Sequence, residues 1–589
     1  MPARREWLAF VAVWAIATAT LVARAWMGRG DAPLFMDTDD AMRMVVVRDF
    51  LAGQGWYDLV QHRLNTPYGS EIHWSRLVDL PIAGLLALAG LFTTPENALL
   101  IAGTIWPMLL MGALLALSML VTRALVGPEG VLPALVLPIL SPAVLAEFTP
   151  GRVDHHNVII VLTLACLWTS LLALRRPGFA LLAGFLAATA LAIAVEALPM
   201  VMAAILAFGL AYILDASRRP ALWRFGLGFG LGMVVHLALA RPPSRWLEAA
   251  CDMISPVYVL AGLMVAAAFA VAGLVAAPRA LWQRFLVMAG LGIIAIAVVV
   301  AVYPQCLRGP YGELDPWLQQ HWLAAIIEAR PFHEVLPDMP AYAIAVGAPV
   351  LLGLVVALIA AWRVPGQRLA WLTLLVFLLG VGLVMLTQIR GARLAILPAV
   401  PAGAWLIVTA RNAYLARPRL GTVVGLVSAW LAFSGVVLVL LVTVAVSLFS
   451  AERTAAVTEA RSSKQSCLTT EAFADLRAIP PERIMTPIDL GSHMLLETPH
   501  AVVSAPYHRN EAGVLDTFRF FNRSAEDARA IATERGLGLI VICPDMPEVQ
   551  GQALTTPGTL LNLIAAGTPP PWIADVSLPG PLKVYAILP

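Results

Sequence analysis

Long apolar runs, separated by short polar connectors, dominate the first 450 residues of the chain. A helix that crosses a bilayer needs about 20 mostly apolar residues. By that length the pattern predicts thirteen membrane spans, near residues 7–27, 98–121, 130–148, 157–174, 178–196, 198–214, 222–240, 257–277, 282–303, 342–362, 369–387, 392–410 and 421–449. A further apolar run at residues 81–92 is about a dozen residues long, which is typical of a re-entrant or interfacial segment.

The distribution of arginines tests this count, because Lys and Arg concentrate in the cytoplasmic loops of membrane proteins. With the N-terminus inside and the short run excluded, every basic connector falls on one side; these carry Arg123, Arg175, Arg176, Arg218, Arg219, Arg224, Arg279, Arg284, Arg363, Arg368, Arg411, Arg417 and Arg419. Counting the short run as a span would break this agreement. We therefore predict a cytoplasmic N-terminus and an outer C-terminus, with a cleaved signal peptide as the alternative for the first run.

Four segments of the chain then lie outside the cytoplasm: residues 28–97, 149–156, 304–341 and 451–589. In the last segment short apolar runs alternate with polar helical stretches, which predicts a small α/β domain of about 140 residues. The expected fold is a polytopic α-helical membrane protein with a transmembrane domain at residues 1–450 and an extracytoplasmic α/β domain at residues 451–589.

The composition supports a lipid environment. The chain is 60% hydrophobic and 13% charged, whereas soluble proteins are roughly 45–50% apolar and about 25% charged. A net charge of +2 without a basic stripe argues against nucleic acid as a partner. The five cysteines form no C-x-x-C motif, which argues against a zinc or redox motif of that kind. In an oxidising compartment we expect the disulfides Cys467–Cys543 and Cys251–Cys306, with free thiols as the alternative for the second pair.

The first outer segment contains the acidic sequence FMDTDDAMR at residues 35–43. Asp37, Asp39 and Asp40 place three carboxylates within four residues, and these repel one another unless a cation or a substrate lies among them. Divalent cations such as Mg²⁺ favour oxygen ligands and accept substrate phosphates as further ligands. The three aspartates are therefore candidate catalytic residues, with a solvated loop as the alternative.

The second outer segment contains PGRVDHHN at residues 150–157. Asp154 and His156 stand two residues apart, so that a turn can aim both at one metal ion while His155 points elsewhere. A carboxylate with an imidazole suits Mn²⁺ as well as Mg²⁺. Ionisable residues at a membrane boundary are functional candidates, and this pair predicts a divalent-metal site.

Two further sets of charges lie on the outer side. Glu328, in AIIEARP at residues 325–331, is a lone acid in an apolar setting and has Arg330 as a candidate ion-pair partner. Arg390 and Arg393 lie at the outer ends of adjacent spans, against the general trend. A guanidinium group can donate two parallel hydrogen bonds to phosphate oxygens, so these arginines are candidates for binding a phosphate. The alternative explanation for their position is that their long side chains extend to the polar membrane interface.

Together these motifs resemble the catalytic subunits of oligosaccharyltransferases, a branch of the GT-C glycosyltransferases. NTPYGSEIHW at residues 65–74 is similar to the "YPYG-x-x-IHWGP" loop of the archaeal members. The resemblance implies a catalytic aspartate at Asp39 (or Asp37), a metal pair at Asp154 and His156, and an acidic fifth-loop residue at Glu328. It also implies that Arg393 holds the pyrophosphate of the donor.

The chain departs from that family where asparagine-glycosylating members carry W-W-D-Y-G to read the acceptor's Ser or Thr. The corresponding stretch is TPIDLG at residues 486–491, which keeps Asp489 and the glycine but lacks the aromatic residues. The motif with which those members read a sequon is therefore incomplete here. Asp489, His508 and Arg509 are candidate acceptor-side residues, and Glu196 is a candidate donor or metal contact.

The function expected from these residues is transfer of a sugar or oligosaccharide from a polyprenyl-linked donor, assisted by Mg²⁺ or Mn²⁺, at the outer face of a bacterial inner membrane. The acceptor, whether protein, lipid or glycan, stays open. A GT-C enzyme that modifies lipid or surface polysaccharide is the first alternative. A transporter is the second, but it would place charges at mid-span between inverted repeats, whereas the acids here cluster in outer loops.

Overall fold

A computed structural model describes residues 2–28, 32–274, 278, 280–448, 465–546, 548–549 and 557–589. Within these residues, ten helices are long and apolar enough to cross a membrane: Arg4–Met27, Pro95–Val126, His156–Ala173, Val195–Leu214, Ala216–Ala240, Pro256–Leu274, Leu281–Val302, Pro340–Arg363, Pro365–Thr387 and Ile389–Ala416. The polytopic helical fold is thereby confirmed.

Three of the thirteen predicted spans take other forms. The segments near residues 130–148 and 178–196 contain the shorter apolar helices Pro128–Ile139 and Phe179–Ile193. The segment near residues 421–449 forms Leu420–Ala432 and Gly435–Ser447, which meet at 93°. Among the described residues the structure therefore supports ten spans, or eleven if the bent pair is one span, because breaks shorten or bend the remaining segments.

Most of the short apolar run at residues 81–92 lies in the 15-residue helix Arg76–Gly90. The side chain of Ser75 caps this helix by accepting from the backbone N–H of Leu77 at 3.3 Å. The helix buries one face and packs beside Pro95–Val126, while Leu80 and Leu88 on the other face are exposed. This two-sided helix is too short to be a span, as the sequence predicted.

The C-terminal region contains a five-stranded sheet in the order Ala501–Val502, Arg483–Met485, Leu539–Ile542, Lys583–Ile587 and Ile573–Asp575. The first three strands in this order pair parallel to one another. The fourth strand pairs antiparallel with both the third and the fifth. Helices accompany the sheet at Ala474–Ala478, Ile488–Glu497, Glu511–Asn522, Ala525–Arg535 and Leu560–Ala565. The predicted boundary at residues 450 and 451 lies outside the described residues.

The first outer segment covers the edge of this sheet. It contains the helix Thr38–Leu51 and the antiparallel hairpin Val60–Gln61 with Ser70–Glu71. Leu64 bridges to Val502, whose N–H donates to the carbonyl of Arg63 at 2.8 Å. The Arg63 side chain also donates to the carbonyl of Thr498 at 2.9 Å. Exposed strand edges invite unwanted pairing, and here the first outer segment fills that position.

Both cysteine pairs are joined as disulfides, Cys467 with Cys543 and Cys251 with Cys306. The first lies within the C-terminal region. The second ties the turn after Ala216–Ala240 to the segment Pro304–Arg308, which follows Leu281–Val302. The outer segment that begins there contains the short helices Pro316–His321 and Phe332–Asp338.

Candidate active site

The acidic motif of the first outer segment forms the beginning of the helix Thr38–Leu51. The Asp37 side chain caps the helix by accepting from the backbone N–H of Asp39 at 3.0 Å. This is the usual role of aspartate before a helix, and the positive end of the helix dipole favours the acids in the first turn. The three aspartates consequently have different surroundings although they are close in sequence.

The carboxylate of Asp40 is buried, and both of its oxygens accept hydrogen bonds. Its Oδ1 accepts from the backbone N–H groups of Val153 and Asp154 at 2.7 and 2.9 Å, and its Oδ2 accepts from Arg152 at 2.7 Å. Burial raises the pKa of Asp40 to about 7, although Arg152 opposes the rise. Asp40 therefore anchors the second outer segment to the first.

Asp39 is the aspartate whose carboxylate is free. Among the described residues no donor forms a hydrogen bond with it, and its electrostatic neighbours are Asp154, Asp37, His156 and Asp40. Burial, then Asp154 and Asp37, raise the pKa of Asp39 well above its usual value. A carboxylate in this setting is a strong base and a ready cation ligand.

The second outer segment turns sharply before the helix His156–Ala173. Gly151 has φ +96°, and a Cβ there would lie 2.1 Å from the carbonyl oxygen of Leu34, so the close approach of the two segments requires glycine. Asp154 follows, with its Oδ2 2.5 Å from Nδ1 of His156. Neither of these two buried atoms has a hydrogen bond of normal geometry with any described residue.

His155 also contacts this carboxylate, which corrects the prediction that it points elsewhere. Its Nδ1 lies 2.6 Å from Asp154 Oδ1, and its ring stacks on that of His156 with centroids 4.6 Å apart. The tight turn leaves both imidazoles against one carboxylate. One ligand atom from each of the three residues lies within 4.8 Å of the others. Carboxylate oxygen, imidazole nitrogen and two buried atoms without normal partners fit a divalent cation.

Buried arginines surround the acids. Arg43 donates to Asp154 at 3.3 Å and to Asp79 at 2.7 Å, and its guanidinium lies 4.2 Å from the ring centre of Trp74. Arg152 pairs with Glu147 at 3.0 Å and with Asp37 at 3.0 Å, in addition to Asp40. These cations hold the carboxylates in place and offset part of their mutual repulsion.

The two arginines at the span ends join the same network. Arg390 pairs with Glu196 at 2.7 Å, and Glu196 lies 3.1 Å from Nε2 of His156. Arg393 pairs with Glu147 at 3.2 Å and also contacts Glu328. Burial would raise the pKa of Glu147, but Arg393 and Arg152 outweigh it and lower the value to about 2.

The structure thus brings together most residues that the sequence singled out. These are Asp37, Asp39, Asp40, Asp154, His156, Glu196, Glu328, Arg390 and Arg393, all at one end of the helical bundle. At that end the spans His156–Ala173, Val195–Leu214 and Ile389–Ala416 begin.

No protein-family model and no curated protein matches the chain. Solved structures do match. The archaeal oligosaccharyltransferase AglB from Archaeoglobus fulgidus, in complex with an inhibitory peptide and a dolichol-phosphate, superposes with a TM-score of 0.68 at 16% identity, over 99% of this chain and 75% of that one.

Two further structures of the Archaeoglobus fulgidus oligosaccharyltransferase agree. The form tethered to an acceptor peptide with the NVT sequon gives a TM-score of 0.63 at 15% identity, over 100% of this chain and 75% of that chain. The complex with Zn and sulfate gives 0.55 at 15% identity, over 98% and 74%. The chain has an oligosaccharyltransferase-like GT-C fold.

Within this GT-C fold, Tyr507 is a residue of the C-terminal region that reaches the acidic site. Its hydroxyl donates to the carbonyl of Thr38 at 3.1 Å, and its ring meets Trp74 edge-on at 5.4 Å. Burial, then the Asp39 charge, raise the pKa of Tyr507 well above its usual value. Tyr507 therefore stays neutral beside Asp39, and its one hydroxyl proton is donated to the Thr38 carbonyl.

The three candidate acceptor-side residues lie elsewhere. His508 and Arg509 contact Asp252 at 2.8 and 2.7 Å, in a second polar cluster beyond Trp74. Asp489 lies in the first turn of the helix Ile488–Glu497, and its backbone N–H donates to the Glu548 side chain at 3.4 Å. No contact described by the structure places any of the three against Asp154.

The glycine kept from the family motif has a packing reason. A Cβ at Gly491 would lie 1.9 Å from the carbonyl oxygen of Ser504, so the helix Ile488–Glu497 can approach that segment only with glycine there. Ile488, at the beginning of the helix, is 2% exposed and packs with Leu314 and Leu318 of the third outer segment. Apolar contacts therefore occupy this part of the TPIDLG stretch.

Sequence reasoning missed Glu147, Arg152 and Tyr311. Glu147 links Arg152 to Arg393, and Tyr311 shares a hydrogen bond with Arg390. A lone acid at the end of an apolar run is a signal for function, and Glu147 carries it. Nothing in the sequence around Arg152 or Tyr311 indicates partners more than 70 residues away.

Proposed function

We propose that this chain is a membrane glycosyltransferase that transfers a sugar or oligosaccharide from a polyprenyl-phosphate or polyprenyl-pyrophosphate donor. The observation that carries the proposal is the convergence of Asp39, Asp154 and His156 with Arg393 at one end of an oligosaccharyltransferase-like fold. A neighbour with this fold was solved with dolichol-phosphate. We place the reaction at the outer face of a bacterial inner membrane, because the basic connectors predict that side.

Asp154 and His156, with Asp39 beside them, would hold a divalent cation, Mg²⁺ or Mn²⁺. When bound there, the cation supplies positive charge that stabilises the oxygens of the leaving phosphate. The paired 2.5 Å approach of buried Asp154 and His156 atoms without normal hydrogen bonds supports this assignment.

Asp39 orients the acceptor and takes its proton. The acceptor N–H or O–H group attacks the anomeric carbon, the bond from that carbon to the phosphate oxygen breaks, and the phosphate departs with the bonding electrons. The proton passes to the Asp39 carboxylate, whose burial beside other acids makes it basic. The same carboxylates stabilise positive charge that develops on the sugar ring in such transfers.

Arg393 and Arg390 bind the donor phosphates. Their guanidinium groups already hold carboxylates, with Glu147 and Glu328 at Arg393 and Glu196 at Arg390. Glu328 lies on the exposed third outer segment, so a donor phosphate can replace it at Arg393 without disturbing the buried Glu147. Glu328 would then be free to turn toward the acceptor, and closure of its segment would exclude water.

The acceptor side favours a hydroxyl of a lipid or glycan over a sequon peptide. The TPIDLG stretch presents no indole or phenol to a Ser or Thr side chain, and Ile488 is covered by the third outer segment. In this proposal the membrane-embedded part at residues 1–450 carries the chemistry, and residues 451–589 contribute Tyr507 and cover the acceptor side.

The test is transfer from a radiolabelled polyprenyl-linked sugar in membranes that contain the full chain. Asp39→Asn, Asp154→Asn and Glu328→Gln should each lower transfer, whereas Glu96→Gln, an exposed acid at the beginning of Pro95–Val126, should not. Offering a sequon peptide beside lipid and glycan acceptors separates the acceptor classes. Full transfer by all three site variants would contradict the proposal.

A further inference from the structure

A second polar cluster lies where three separate parts of the chain meet. His73 comes from the first outer segment, Asp252 from the turn after Ala216–Ala240, and His508 from the C-terminal region. One ligand atom from each lies within 4.8 Å of the other two. Trp74 separates this cluster from the acidic site, with its ring centre 6.3 Å from that of His155.

The side chains of this cluster suit a metal ion. Two imidazoles and one carboxylate are a common donor set for Zn²⁺. Nδ1 of His73 is buried and has no hydrogen-bond partner in the described part of the chain, whereas buried imidazole nitrogens normally have one.

The ligand atoms lie near the separations that a metal ion requires. Four atoms bound tetrahedrally at about 2.0 Å lie about 3.3 Å apart. Nε2 of His508 is 2.8 Å from Oδ2 of Asp252, and the ring centres of His73 and His508 are 4.6 Å apart. The ligand atoms of all three residues lie within 4.8 Å of one another, so small side-chain shifts would bring them to one ion, with one position left for water.

The surroundings fix the carboxylate and balance the charge. Arg509 donates from Nε and from its second terminal nitrogen to the two oxygens of Asp252 at 2.7 and 2.8 Å, and it also contacts Glu71. Arg245 pairs with Glu71 and Glu248 at 2.6 Å each. Arg241, which donates to the carbonyl of Glu248 at 2.8 Å, completes a group of three acids and three arginines. Oδ1 of Asp252 accepts from Arg509 alone among the described residues and has a lone pair to spare.

The backbone beside Asp252 is also fixed. Its neighbour Cys251 is joined to Cys306, and the Cys251 carbonyl accepts a hydrogen bond from the Tyr258 hydroxyl. A ligand held at this point keeps its place when the metal is absent, which is the preorganisation that tight metal binding needs.

We infer that His73, Asp252 and His508 form a zinc site, separate from the Asp154 site, that fastens the C-terminal region to the first outer segment and to the turn at Cys251. The ion would connect three segments that no single element spans. Such a site stabilises the folded state because the unfolded chain does not bring the ligands together. It assigns His508 a structural role in place of contact with an acceptor.

The test uses the full chain purified in detergent without chelators, in an Asp154→Asn background that weakens the acidic site. We expect one zinc per chain by elemental analysis, and loss of that zinc in His73→Gln and in His508→Gln. His62→Gln is the matched control, because this histidine lies in the same segment and is largely exposed. Added zinc should raise the unfolding temperature of the background and of the control, but not that of the His73 variant.

A spectroscopic measurement protects the test against variants that fold poorly. Co²⁺ bound to the folded background protein should give the visible absorption of a tetrahedral site with nitrogen and oxygen ligands, and zinc should displace it. A background protein that holds no zinc and shows no such absorption would overturn the site, as would a folded His73→Gln variant that keeps its zinc. Neither readout depends on transferase activity, so failure here leaves the proposed function standing.

Discussion

Arg152 and the buried carboxylate of Asp40 form an ion pair, with 2.7 Å between nitrogen and oxygen, that joins the second outer segment to the first. The same guanidinium reaches Glu147 at 3.0 Å, and Glu147 in turn holds Arg393 at 3.2 Å. One arginine therefore connects the acidic motif at the proposed metal site to the arginine proposed for the donor phosphate. The residues around the chemistry form one framework rather than separate motifs.

Loss of Arg152 should destabilise the protein strongly. Arg152→Gln leaves the carboxylates of Asp40 and Glu147 buried without their shared cation, and breaking a buried pair costs about 3–5 kcal/mol. The measurement is unfolding of the purified chain in detergent. Arg477→Gln, which breaks a partly exposed pair with Glu497, should cost about 1 kcal/mol or less. Equal effects of the two variants would contradict the framework.

Asp39 should affect catalysis and not stability. Its carboxylate accepts no hydrogen bond among the described residues, so Asp39→Asn removes a base without breaking a contact. We expect transfer to fall by roughly 10²–10⁴-fold, the usual contribution of a positioned base, while the unfolding temperature stays the same or rises. Asp37→Asn, at an exposed helix cap, should reduce transfer far less. A larger loss at Asp37 than at Asp39 would reverse the assignment.

Arg393 should control donor binding. Arg393→Lys removes the planar fork, and a hydrogen bond to a charged group contributes about 1.5–3 kcal/mol. The KM for the polyprenyl-linked donor should therefore rise roughly 10–100-fold. Arg330→Lys is the control, because its pairs with Glu334 and Asp338 lie on the exposed third outer segment. A KM change of the same size in both variants would argue against a specific phosphate contact.

Chelation should stop transfer, and Mg²⁺ or Mn²⁺ should restore it. The restoration depends on Asp154 and His156, whose facing atoms lie 2.5 Å apart in the buried site. In Asp154→Asn the added cation should restore little activity even at high concentration, because one of the two ligands has lost its charge. The measurement is the cation dependence of transfer after removal of the chelator. Transfer that survives chelation unchanged would remove the metal from the proposal.

Gly491→Ala should destabilise the C-terminal region. The added Cβ would overlap the Ser504 carbonyl oxygen at 1.9 Å, and overpacking of this kind costs about 1–3 kcal/mol. Limited proteolysis and unfolding of the full chain report the change. Gly580→Ala is the matched control, since nothing lies within 4 Å of a Cβ there. An effect on transfer with unchanged stability would instead indicate that this glycine contacts the acceptor.

Much of the fold follows from local sequence. Of the thirteen spans predicted from runs of about 20 apolar residues, ten correspond to helices that are long enough to span, because length and hydropathy are local properties. The breaks between Val131–Ile139 and Pro142–Ala146 and at the 93° bend did not follow, since the runs stay apolar through them. The clustered carboxylates of the outer segments can be recognised as sequence motifs. Their ion-pair partners cannot, because Arg152 and Asp40, for example, are more than 100 residues apart in the chain.

The acceptor-side prediction shows another limit. The polar stretch at His508 and Arg509 suggests contact with an acceptor. The sequence does not indicate that both residues bind Asp252, which lies 256 and 257 residues away. Alternation of side chains along an extended segment predicts that His155 points away from Asp154, but in a tight turn side chains do not alternate in this way. Contacts between residues that are distant in sequence can be identified only from the structure.

The β-bridge between Leu64 and Val502 has a consequence for biosynthesis. Arg63 and its partner Thr498 are 435 residues apart, so at about 5–20 residues per second the ribosome needs roughly 20–90 s to supply the partner. During that interval the first outer segment is already synthesised but lacks the strand that it later pairs with. Its order until then depends on the buried contacts of Arg43 and Arg76 with Asp79, which are complete as soon as the helix Arg76–Gly90 has emerged. Maturation of the site is therefore expected to lag behind insertion of the spans.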